Sequence, residues 1–198
     1  MKKWIPIALI ALVVLLGFSG VGTYNSLVKL DQGVRAQWGQ VQNVYQRRAD
    51  LVPNLVATVK GAAAFEKDTY TAVATARAQV GQVAANTAQA PTDPEALKRY
   101  QQAQDGLSSA LSRLLVVAER YPDLKATAAF RDLQAQLEGT ENRIAVERMR
   151  FNETAQAFNT KRDSFPTVMI AGFFGSRFAE KPYFEATAAA ATPPQVKF

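Results

Sequence analysis

A chain of 198 residues, 48% of them hydrophobic, carries enough apolar side chains for one domain plus one membrane segment and little more. It has no cysteine and no histidine, which removes thiol nucleophiles, disulfides, imidazole bases and the commonest ligands of zinc, copper and haem. The net charge of +6 comes from 23 basic and 17 acidic residues that are interleaved, with no basic stripe bearing stacking aromatics, so no nucleic-acid partner is expected.

Met1-Lys2-Lys3 precedes an uncharged run from Trp4 to Val28. At about 1.5 Å per residue, Trp4 to Gly22 reaches roughly 28 Å, close to the hydrocarbon thickness of a bilayer. The expectation is an uncleaved transmembrane anchor over residues 1–23. The rival is a cleaved signal peptide, but Gly20-Val21-Gly22 is a poor small-residue cleavage site and the downstream pattern continues as helix. Lys2, Lys3 and the amino terminus slightly outweigh Lys29 and Arg35, which by the positive-inside tendency places the short end in the cytoplasm.

Leu27, Leu30, Val34, Val41, Val44 and Leu51, with Trp38 and Tyr45 beside them, recur with helical periodicity, and Arg48 falls on the same stripe. Val52-Pro53 reads as a kink or restart, since proline lacks an N–H and disfavours a helical residue before it, with Asp50 placed to cap the next helix. The pattern resumes through Val56, Val59, Ala63, Glu66, Tyr70, Val73 and Val80, predicting a second helix to about Ala84. Gly81 to Pro94 lacks an apolar stripe and reads as a loop ending in an N-cap and a proline at the first helical position.

A third helix has the clearest seam, Leu97, Tyr100, Gln104, Leu107, Leu111, Leu114, Ala118 and Tyr121, which suits antiparallel bundle packing. Tyr121-Pro122-Asp123 ends it. A fourth segment carries Phe130, Leu133, Leu137, Ile144, Phe151, Phe158 and Phe165, with Asn152 and Asn159 one position along, and closes at Phe165-Pro166. Val168 to Phe184 holds too many large aromatics to leave in water and is expected to fold back on one end of the bundle, with Gly172 and Gly175 permitting the turns. The competing reading lays these aromatics in the bilayer interface, with Arg177 and Lys181 near headgroups. Residues 187–198 are expected to be a disordered tail.

Glu138, Glu141 and Glu147 invite a test for acid–base or metal chemistry, but a di-iron bundle site needs Glu-x-x-His pairs and the chain has no histidine. Arg143, Glu147 and Arg150 are spaced for ion pairs along a helix surface. No nucleophile elbow, phosphate loop or dinucleotide fingerprint occurs, and Ser108, Ser109 and Ser112 have only Lys98 nearby, so no enzyme is expected. What remains is a set of polar residues on or beside apolar stripes: Arg47, Arg48, Asp50, Asn54, Glu66, Arg77, Glu141, Arg148, Asn152 and Asn159. Unpaired charges in a core are costly, so these form either a cross-helix network fixing register or a patch open to a partner.

At these residues the chain resembles the LemA family of single-pass bacterial membrane proteins. The resemblance rests on Tyr24-Asn25-Ser26-Leu27-Val28, Trp38-Gly39-Gln40-Val41, the long run Arg47 to Val56 with Val59-Lys60-Gly61, Leu137 to Ala145, Arg150-Phe151-Asn152, Phe158-Asn159, and Phe165-Pro166 through Ala186. The family usually has tyrosine where this chain has Phe151, and histidine where it has Phe65, which argues against a hydroxyl or imidazole role at either position. The resemblance implies an all-α protein: a transmembrane helix, then an antiparallel up-and-down four-helix bundle over residues 24–186, with no established enzymatic activity or cofactor; no metal site or small-molecule substrate is identified in the sequence. It also implies association with HtpX-type membrane proteases, and a bundle on the cytoplasmic side, the reverse of the charge count, so the side stays open. The functional expectation is a membrane-anchored scaffold or adaptor in the bacterial inner membrane that binds other envelope proteins, a membrane protease among them, or its own copies. The alternative is a lipid-binding or envelope-stress signalling module.

Overall fold

The computed structural model describes residues 4–62, 67–87 and 89–186; of residues 4–17 only the side chains of Ile7 and Leu15 are included, and those of 61 and 62 are not. The described residues are helical or irregular, without strands. The helices are α1 (Trp4–Ala62), α2 (Lys67–Asn86), α3 (Pro94–Glu119), the short α4 (Pro122–Ala126), α5 (Ala128–Asp163) and α6 (Thr167–Phe174), followed by a 3-10 turn at Gly175–Phe178.

Local chemistry sets the boundaries of α3 and α5. Asp93 caps α3 by accepting a hydrogen bond from the Glu95 amide at 3.0 Å, and Pro94 occupies the first turn, where no N–H is needed. Thr127 caps α5 through the Phe130 amide, and Lys161 and Arg162 lie in its last turn, complementing the helix dipole. Cross-helix pairs fix the directions. Gln37 and Arg48 of α1 meet Glu147 and Glu141 of α5 in reverse order, whereas Trp38 and Arg48 meet Tyr100 and Gln104 of α3 in the same order. Trp38 and Ala49 meet Thr87 and Arg77 at and near α2 in reverse order. The four long helices therefore run up, down, up and down.

Two boundaries differ from expectation. α1 passes through Pro53 without a break, so Asp50 is no cap; it accepts a hydrogen bond from Gln46 Nε2 at 2.8 Å, one turn back on the exposed face. The missing proline N–H leaves the Ala49 carbonyl, four residues earlier, without its helical donor, and Arg77 Nε of α2 supplies a long one at 3.4 Å. Buried Val52, Leu55 and Val59 hold the helix in place on both sides of the proline. At the other boundary, Gly81 to Asn86 is helical, because Val80 and Val83 still face the bundle.

The core falls into two apolar clusters. One contains Trp38, Tyr45, Tyr100, Phe151, Phe158 and Phe178. The other contains Val59, Val73, Leu107, Leu114, Phe130 and Leu137. Between them lies a polar layer centred on Arg48. Ile144, Phe151 and Phe158 of the heptad-spaced set are buried, but Phe165 lies beyond the end of α5 and is 82% exposed.

After a cis Phe165-Pro166 peptide, α6 folds back beside α1. Gly175 then turns the chain at φ 52, a conformation side-chain-bearing residues rarely adopt, whereas Gly172 is helical. The expected docking is present, but only in part: Phe178 and Phe184 are buried while Phe173 is 86% exposed. The transmembrane expectation over Trp4 to Gly22 falls largely on side chains outside those described. Among the described residues no helix is long and apolar enough to cross a membrane. The tail at 187–198 is likewise outside the described residues.

Candidate functional site

Arg48 sits on the inner stripe of α1 with 1% of its surface exposed. Nη1 donates to Ser108 Oγ at 2.6 Å and Glu141 Oε1 at 2.9 Å, and Nη2 donates to the carbonyl and side-chain oxygens of Gln104 at 3.0 and 2.5 Å. The guanidinium also faces the Tyr45 ring, 5.1 Å from its centroid. One arginine thus joins α1, α3 and α5 in a single layer. Glu141 reaches from this layer to the rim, its side chain 41% exposed against 2% for Arg48. Burial pushes the phenols of Tyr45 and Tyr100 up from their ordinary value, so both stay neutral. Half-buried Asp105 is also held above the usual carboxylate range by desolvation, against the pull of Arg148 and Arg48.

Beside this layer, α2 leans on α3 and touches α1 sparingly, which opens a cleft of about 590 Å³ between α1 and α2. Its walls are apolar at Val52, Val56, Val73 and Val80 and polar at Gln42 and Arg77. The Tyr45 hydroxyl lines this cleft and makes no hydrogen bond among the described residues, although the residue is only 2% exposed. A buried hydroxyl without a partner is costly and marks a place where a ligand atom or water can bind.

A second constellation holds the C-terminal segment, residues 178–185. Arg162 Nε donates to the Phe178 carbonyl at 2.8 Å, and Arg148 Nη2 donates to that of Glu185 at 2.8 Å. Between them, Asn159 accepts from the Lys181 amide and donates to its carbonyl, and Asn152 does the same for Phe184, all at 2.8 to 2.9 Å. Each asparagine satisfies both backbone groups of one residue, as a neighbouring strand would. Lys181 then reaches under this strap to Asp31 Oδ1 at 2.7 Å, with both side chains buried, so it is not at a headgroup surface.

The expected set therefore divides. Arg48 and Glu141 form the central layer, Arg77 lies at the cleft, and Arg148, Asn152 and Asn159 clasp the strap. Arg47, Asp50 and Asn54 are exposed on the outer face of α1, and Glu66 lies outside the described residues. Trp4 begins α1, its side chain outside those described, and Gly22 lies exposed farther along the same helix. Sequence reasoning missed the Asp31 to Lys181 pair, Ser108 and Asp105. The only signal for Asp31 is a carboxylate next to the buried stripe, and nothing local points to a partner 150 positions later.

A sequence model described as the LemA family matches residues 37–198, a span that includes the polar layer, the cleft and the strap. The chain is also similar to magnetosome protein MamQ 2 of Paramagnetospirillum magneticum, 26% identical over 186 residues that cover 86% of this chain and 67% of that one. Magnetosome protein MamQ of Magnetospirillum gryphiswaldense is 26% identical over 185 residues, with the same coverage.

Proposed function

The chain belongs to the LemA family, and on that premise we propose that it is a membrane-anchored, non-enzymatic adaptor whose cleft between α1 and α2 receives a segment of another membrane protein. Trp4 to Gly22 serves as the anchor in the bacterial inner membrane, residues 24–186 form the binding domain and residues 187–198 a trailing tail. The observation that carries this reading is the cleft: it is open, with apolar walls at Val52, Val56, Val73 and Val80, polar groups at Gln42 and Arg77, and the unpartnered Tyr45 hydroxyl in its wall. Those features fit an amphipathic segment that buries apolar side chains and presents a carboxylate or another acceptor. In the central layer, both Nη atoms of Arg48 are engaged in helix-to-helix bonds, which suits a rigid binding surface rather than a reaction centre.

Affinity capture from detergent-solubilised membranes tests the reading when parent protein is compared with Ala74→Trp and Ala78→Trp, which fill the cleft from exposed positions on α2. Partners bound by the parent and lost from both variants, with unchanged melting, support it. Identical partner sets from all three proteins would sink it.

A further inference from the structure

We propose that α6 lies in the membrane interface, flanking the cytoplasmic or periplasmic end of the anchor and forming a second contact with lipid. The inference rests on the anchor reading and adds a surface that reading does not require. Ile170 and Phe174 line one wholly apolar cavity of about 390 Å³ with Gly20, Val21 and Tyr24 of α1. The Tyr24 and Phe174 ring centroids are 4.8 Å apart. α6 is therefore level with the last turns of the uncharged run that extends from Trp4 to Val28.

At this level the outward side chains are unusually apolar for a surface in water. Phe173 is 86% exposed, Phe165 82%, Phe18 77%, Met169 67% and Val21 60%. They come from α1, α6 and the turn before it, yet share one end of the bundle, so the patch is continuous with the segment proposed to enter the bilayer. α6 itself contains no charged residue. Cations begin just beyond: Arg177 stands over the Tyr24 ring at 5.9 Å, and exposed Lys29 comes next on α1. An uncharged aromatic belt with basic side chains at its upper edge is the arrangement that seats a helix between acyl chains and anionic headgroups. The buried Thr167 and Ala171 fix the other face of α6 on the bundle, so the exposed face cannot turn inward without undocking.

The full chain has no cysteine, so single-cysteine variants carry one spin label each. Phe173→Cys, Met169→Cys, Phe18→Cys and Val116→Cys, all at exposed positions, would be reconstituted in vesicles of phosphatidylethanolamine and phosphatidylglycerol. Collisions of each label with oxygen and with a water-soluble nickel chelate are then compared. The expected result is an oxygen-to-nickel ratio several-fold higher at 173, 169 and 18 than at 116, which lies near the far end of α3. If 173 and 169 match 116 while 18 remains in lipid, α6 is not interfacial and the anchor reading survives. If all four labels report water, the anchor reading fails and this inference fails with it.

Discussion

Arg48 and Glu141 form one ion pair, but their surroundings make the two residues unequal. Replacing Arg48 with methionine removes the buried charge and leaves Glu141, already half in water, to be solvated; the lost hydrogen bonds to Gln104 and Ser108 should cost about 1–3 kcal/mol. Replacing Glu141 with leucine leaves a guanidinium at 1% exposure without its counter-charge, and should cost about 3–5 kcal/mol. The more exposed partner is therefore the more sensitive one, and urea melts of the two variants beside the parent check the order. Asp105 makes a prediction of opposite sign. Its carboxyl is held above its unfolded value, so the folded protein binds its proton more tightly and stability falls as pH rises from near 4 through the folded value. Asp105→Asn removes that penalty. Its melting temperature should exceed the parent's at pH 7, and the gain should vanish in acid, where both chains are neutral at this position.

Pro53 shows how a rule of local structure yields to packing. A mid-helix proline forfeits one hydrogen bond and crowds the carbonyl four residues back, about 3 kcal/mol in an isolated helix. α1 nevertheless continues, because Val52, Leu55 and Val59 are seated in the core and Arg77 of α2 reaches the orphaned Ala49 carbonyl. Pro53→Ala should therefore raise stability by about 1–2 kcal/mol, part of the helical gain being offset by a freer unfolded chain. In that background the new amide takes the Ala49 carbonyl. Arg77→Ala should then cost less than it does beside proline, and a double-mutant cycle with no coupling would refute the link. The same contrast explains what could be read from the sequence. The α3 seam, its Asp93-Pro94 start and the stripe carrying Arg48 were legible because each is written in residues three or four apart. The cleft was not, since it arises from how α2 tilts away from α1, which no periodicity records. Asn152 and Asn159 stood out as polar neighbours of the Phe151 and Phe158 stripe, but their role depends on backbone groups of residues that lie beyond a chain reversal.

Across the whole molecule, the Arg48 layer separates a core near the proposed membrane end from one at the far end, and the strap belongs only to the first. Phe184 lies against Trp38 and Phe151, and Phe178 against Phe158 and Tyr24, so detaching the strap would open the aromatic half of the bundle. The far core draws on α1 through α5, and its apolar cluster contains no residue of the strap. The Lys181 to Asp31 pair is the buried fastener: the buried ammonium relies on this carboxylate, while Asp31 Oδ2 also accepts from the Nε of the more exposed Arg35 at 2.9 Å. Asp31→Asn alone should cost about 3–5 kcal/mol by stranding the buried ammonium, whereas Lys181→Met, which leaves the carboxylate to Arg35, should cost less. Hydrogen exchange locates the damage. The Lys181 and Phe184 amides, held by Asn159 and Asn152 in the parent, should lose protection in Lys181→Met, while amides of α3 beyond Leu107 keep theirs. Equal loss throughout α3 would mean that the two cores open as one unit and that the polar layer does not divide them.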